Sequence, residues 1–146
     1  MTSAAYSRMT GYCLSALPDE ACGLLTASAS PDSRGGALID GIVPIRNAAA
    51  HPKAHFSFHP ADWVQAYYDT RKNRQTIVGF FHSHPASAPV PSTSDEAGWL
   101  EWSGNGPYTY WIVSLWNDER PECRAYRRRM LGEGSSMFAQ IRVQIT

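Results

Sequence analysis

Charge of one sign, paired cysteines and long apolar runs are all missing from this chain. Its 146 residues carry 13 Lys and Arg against 13 Asp and Glu, a formal net charge of zero, so no basic field marks a nucleic-acid partner. The one basic run, Arg127-Arg128-Arg129, follows a predicted strand and reads as a solvated edge. No stretch approaches the roughly 20 apolar residues that span a bilayer. The N-terminus lacks the basic start and apolar core of a signal peptide, and no membrane role is expected. The three cysteines, Cys13, Cys22 and Cys123, are odd in number and far apart. They form no Cys-x-x-Cys pair, so neither a disulfide framework nor a zinc ribbon is indicated, and a reducing cytoplasm is the simplest compartment. Internal repeats and linkers are also missing. At this length the chain reads as one domain, residues 1–146, able to bury a real core. A neutral surface leaves the oligomeric state open.

What is present is an alternation of helical and strand patterns. Tyr6, Met9, Cys13, Leu14 and Leu17 recur at helical spacing, which predicts a helix over 4–16 stopped by Pro18. Pro60 suits a first turn and opens a helix continuing over 61–72. A third helix is predicted over 93–103, closed by Gly104-Asn105-Gly106-Pro107. Strands are predicted over 21–27, 37–45, 76–84, 108–116, 122–129 and 137–145. The Ser-, Pro-, Asp- and Gly-rich stretch 28–36 and the segments 47–55 and 86–91 read as loops. The order α-β-β-α-β-α-β-β-β predicts an α+β layered fold, a mixed sheet flanked by helices.

The most informative segment is Thr76-Ile77-Val78-Gly79-Phe80-Phe81 running straight into His82-Ser83-His84-Pro85. On a strand, a period of two sets His82 and His84 on one face, one pleat apart, and turns Ser83 to the other. Two imidazoles so placed can grip one metal ion. Seven residues separate His84 from Ser92, and Asp95 follows three positions after that. Asp95 is a candidate third ligand, and two His with one carboxylate leave a tetrahedral position open, as catalytic zinc sites do. Ser92-Thr93-Ser94-Asp95 also has the form of a capping box, which would hold Asp95 rigidly in a first helical turn. Cys22 reads as a small packing residue. His51, His55 and His59 read as surface or rim residues. The tryptophans read mostly as core.

The pattern His-x-His, seven residues, Ser-x-x-Asp resembles the JAMM motif of the MPN+ zinc metalloproteases. That family carries a glutamate upstream in a stretch similar to Pro18-Asp19-Glu20-Ala21-Cys22-Gly23-Leu24-Leu25. Its middle segment is similar to Ile45-Arg46-Asn47 and Phe56-Ser57-Phe58-His59-Pro60-Ala61-Asp62. The resemblance implies the MPN/JAMM (cytidine-deaminase-like) fold, although the family usually begins with a strand where this chain opens on a helix. It implies Zn2+ held by His82, His84 and Asp95, with Glu20, rather than its neighbour Asp19, as general base. Ser92 would donate to the tetrahedral intermediate. The implied reaction is hydrolysis after the C-terminal glycines of a ubiquitin-like fold. Little chain separates Asp95 from Tyr108, which resembles the compact prokaryotic members, some of which trim ThiS-like or MoaD-like sulfur-carrier proteins. Isopeptide cleavage of ubiquitin-like modifiers is the alternative within the class, and a non-catalytic interaction scaffold the alternative outside it.

Overall fold

The computed structural model describes residues 1–30, 36–104 and 106–146. Its elements follow the predicted order: α1 (Ser3–Ala16), β1 (Cys22–Ala27), β2 (Gly41–Ile45), α2 (Pro60–Lys72), β3 (Thr76–His84), α3 (Thr93–Ser103), β4 (Thr109–Ser114), β5 (Glu122–Gly132) and β6 (Ser135–Ile141). The strands form one mixed sheet in the order β2-β1-β3-β4-β5-β6. The β3–β4 pair is parallel and every other pair is antiparallel. Parallel neighbours need a crossover, and α3 supplies it. The fold is α+β, as predicted. Among the described residues no strand precedes α1, and no helix is long and apolar enough to cross a membrane.

The central strands are apolar on both faces because both faces are covered. Ala5, Met9 and Cys13 of α1 pack on Leu25, Phe81, Trp111, Val113 and Ala125. The alternate residues Leu24, Phe80, Tyr110, Ile112 and Tyr126 face Ala66 of α2 and Trp99 of α3. At roughly 25 cal/mol per Å² of apolar area, these two layers supply most of the folding drive.

One irregularity sets which face the histidines take. Leu25 pairs with Gly79 but Thr26 pairs with Ile77, so Val78 is an extra residue in β3. This bulge resets the alternation. Gly79 is required beside it, since a Cβ there would stand 2.5 Å from the Thr109 carbonyl oxygen. From Phe80 onward the pleat is regular, and His82 and His84 join Phe80 on the α2/α3 face.

The limits of two predicted strands move most, while the strand expected over 108–116 forms as Thr109–Ser114 and that over 122–129 runs on to Gly132. The strand expected over 37–45 forms only as Gly41–Ile45, because the Ile39 carbonyl accepts from the Thr2 N–H at the start of α1. The strand expected over 137–145 forms as Ser135–Ile141. Its start is early because Glu133 and Gly134, at φ 44° and 78°, make a two-residue hairpin turn between paired Gly132 and Ser135. Its end is early because the Gln144 carbonyl accepts from the Met1 ammonium and Thr146 bonds Met1 and Ser3. Residues 31–35 of the predicted loop over 28–36, and Asn105 of the predicted turn after α3, lie outside the described residues.

Candidate metal centre

His82 and His84 end β3, where Pro85 removes the next ladder donor. Their Nε2 atoms stand 3.1 Å apart. Asp95 Oδ2 lies 3.2 Å from the first and 3.1 Å from the second. Asp95 is held there by a capping box: the Ser92 hydroxyl accepts from the Asp95 N–H, and the Ser92 N–H donates to Asp95 Oδ2 at 2.9 Å. Glu20 lies two residues before the neighbouring strand β1. Cys22 pairs with His82, so Glu20, two residues earlier, falls beside His84. Potential ligand atoms of Glu20, His82, His84 and Asp95 all lie within 4.8 Å of one another, and all four residues are buried.

The donor set fits a divalent cation. Atoms about 2.0–2.1 Å from one ion at tetrahedral angles stand about 3.3–3.4 Å apart, close to the observed edges. His84 Nδ1 lies 2.8 Å from the Ala88 carbonyl. A carbonyl only accepts, so Nδ1 carries a proton; Nε2 faces the cluster, where it bonds Asp95 when protonated and can offer its lone pair to a cation when not. Glu20 Oε1 is buried without a hydrogen-bond partner among the described residues, a costly arrangement unless a ligand or reactant meets it.

The charges are pulled apart by environment. Burial pushes the Glu20 carboxyl up to about 7; His84 pulls it back and Asp95 adds to the rise. Burial would also raise Asp95, but hydrogen bonds with His82 and His84 hold it well below the usual carboxylate range. Burial lowers His82. At His84, burial is outweighed by Asp95, the Ala88 carbonyl and Glu20, and the pKa rises. Two carboxylates thus sit side by side, one firmly ionised and one able to exchange a proton near neutrality, the pattern of an acid–base site.

Sequence reasoning missed the residues that hold this site. Asn47 Nδ2 donates to the carbonyls of Glu20 at 3.0 Å and His55 at 2.9 Å, and its Oδ1 accepts from Ala49 and Ser57. The Glu20 N–H donates to the Pro52 carbonyl at 2.7 Å. One amide therefore ties the loop 47–55 to the backbone of Glu20. Phe56 stacks on His82 with ring centroids 4.4 Å apart. Asn47 belongs to a segment already singled out; nothing local in the sequence marks the ring stack.

The other candidates have structural roles or rim positions. Ser83 turns away and accepts from the Ala21 N–H at 2.8 Å. Cys22 is fully buried, with Sγ 3.3 Å from the Ile45 carbonyl, and burial pushes its thiol up to about 12. His59 caps α2 through Nδ1. His55 lies beside Asp95 in a small hollow, and His51 is exposed. Asp19 closes the end of α1 by donating to Ala16. Ser92 is exposed, at the rim of a cleft of about 270 Å³ that Glu20, His84 and Asp95 also line.

Comparison with known proteins places these residues in context. Residues 2–129 match the family described as prokaryotic homologs of the JAB domain. A protein named desampylase from Haloferax volcanii is 34% identical over 97 residues, 66% of this chain and 63% of that protein. A desampylase from Pyrococcus furiosus is 34% identical over 77 residues, 48% of this chain and 54% of its own. The chain thus matches less than two thirds of the length of these two relatives. A solution structure of a protein from Desulfitobacterium hafniense superposes with a TM-score of 0.79 at 28% identity, covering 99% of this chain and 90% of the other. A JAB1/MPN domain protein from Archaeoglobus fulgidus shares the fold, with a TM-score of 0.54 at 18% identity over 96% of this chain and 90% of that one.

Proposed function

The chain belongs to the family of prokaryotic homologs of the JAB domain, and from that premise we propose that it is a JAMM-type metallopeptidase. Its substrate is the C-terminal tail of a ubiquitin-like or sulfur-carrier protein, cut after the terminal glycines. The observation that carries this reading is the convergence of two imidazole Nε2 atoms on one carboxylate oxygen beside a buried, unpartnered Glu20 Oε1. His82, His84 and Asp95 hold the metal, for which zinc is the natural occupant of two nitrogens and one oxygen. Bound there, zinc would supply Lewis-acid polarisation of the carbonyl and an acidified water.

The chain's own residues do the rest. Glu20 takes a proton from the attacking water and returns it to the departing amine, a double role suited to a carboxyl near 7. The Ser92 hydroxyl donates to the oxyanion as it develops. Asp95 stays ionised throughout, and the stack with Phe56 keeps the His82 ring from turning.

Isopeptide cleavage is the second reading. It is favoured by the name, desampylase, that both curated relatives carry. Intact-mass spectrometry separates the two. The zinc-loaded protein is incubated with a ThiS-like carrier ending Gly-Gly-Cys and, separately, with an isopeptide-linked conjugate. Loss of one cysteine mass from the carrier supports tail trimming. Cleavage of the conjugate alone moves the substrate to modified proteins, and no cleavage of either by zinc-loaded protein contradicts both readings.

A further inference from the structure

Lys53 is the one Lys or Arg among the described residues that line the metal cleft. Its position is fixed by the same bonds that fix Glu20. The Pro52 carbonyl accepts from the Glu20 N–H at 2.7 Å, and the Ala54 and His55 N–H groups both donate to the His51 carbonyl, closing a turn around Lys53. The Lys53 backbone is therefore one residue from a main-chain bond to the proposed base. Its side chain is exposed, and its ammonium makes no hydrogen bond or ion pair among the described residues. The other ionisable groups on its walls are Glu20, His84 and Asp95, the proposed machinery of the site.

We propose that Lys53 receives the free terminal carboxylate of the substrate tail, making this cleft selective for short C-terminal extensions over isopeptide bonds. The inference rests on the peptidase reading and names the substrate class of that site. In hydrolysis, water adds its oxygen to the glycyl carbonyl carbon, the C–N bond breaks, and the nitrogen leaves as an amine. When one residue follows the glycine, that amine carries a carboxylate next to the broken bond. Each further residue carries the carboxylate about 3.3–3.6 Å farther away, beyond the cleft after a few. A lysine side chain leaving from an isopeptide bond brings no carboxylate near its nitrogen. A cation at this rim therefore rewards only the first kind of substrate, by one charge-assisted hydrogen bond.

The test uses N-acetylated peptides ending Gly-Gly-Ala, alanine replacing cysteine so that no thiol reaches the metal, as free acids and as C-terminal amides. Cleavage is followed with zinc-loaded protein. Binding is measured by calorimetry with a non-cleavable pair in which the scissile carbonyl is reduced to methylene. The free acid should show KM and Kd about tenfold lower than the amide, the worth of one such bond at a half-open rim, with kcat little changed. Lys53→Ala should erase that difference and Lys53→Arg should keep it. A purely structural Lys53 would shift acid and amide equally. Equal binding of acid and amide by the unaltered protein, or a preference surviving Lys53→Ala, overturns the assignment while leaving peptidase activity intact. If neither peptide is cut yet the acid preference appears and depends on Lys53, the carboxylate site stands and the peptidase reading falls.

Discussion

The parallel pair β3–β4 has a hollow at each end, and the two differ in every respect that matters for chemistry. At the start of the strands lies the larger, about 590 Å³, walled by Ile77, Val78, Tyr108, Trp111 and Ile141 with Arg127 and Arg142 among its polar lining. At their other end the cleft holding Glu20, His84 and Asp95 measures about 270 Å³. The larger hollow is a place where apolar side chains meet incompletely. The smaller one gathers four ionisable groups out of water within 4.8 Å, which costs folding energy and is retained only for a use. Size marks imperfect packing; convergent lone pairs mark a reaction site.

Substitutions at the two ends should separate these characters. Ser92→Ala removes the proposed donor to the developing oxyanion and should lower kcat about 10²–10³-fold. It also removes the α3 cap, at a cost of about 1 kcal/mol in denaturant unfolding. Asn47→Ala frees the loop that holds Glu20, and kcat should fall about 10–100-fold, as for outer partners of metal ligands, with zinc content unchanged. A smaller effect concerns stability. Glu20 has a folded pKa of about 7 against a reference of 4.5, so its burial penalty is absent below 4.5, grows as pH rises, and is complete above about 7. Chelator-treated Glu20→Gln should therefore melt above the chelator-treated parent at pH 8, by roughly 2–4 °C per kcal/mol recovered, and the two should coincide near pH 4. At the opposite end, Val78→Ala should cost about 1 kcal/mol of stability and leave turnover per folded molecule unchanged.

The same contrast explains what could be read from the sequence. The order of elements and the shared face of His82 and His84 follow from periodicities that lie within single segments. The capping box is likewise local, and it brings Asp95 to the histidines through one turn of α3. The Val78 bulge was not legible, since it is defined by a shift in pairing with β1. The start of β2 and the end of β6 depend on bonds between Met1, Thr2, Ser3 and residues 39, 144 and 146, which no local pattern encodes. Asn47 escaped for a related reason. Its amide serves carbonyls and N–H groups spread over residues 20–57, and it carries no chemistry of its own.

In the proposed mechanism His82, His84 and Asp95 bind the metal, and Glu20 moves protons without being needed to hold it. Zinc content and turnover, measured on the same preparations of the parent, Glu20→Gln and His84→Ala, test this most directly. Glu20→Gln should keep about one zinc per chain while turnover falls about 10²–10⁴-fold, and His84→Ala should lose both. Full turnover in Glu20→Gln, or zinc retained at full stoichiometry and affinity in His84→Ala, would contradict it.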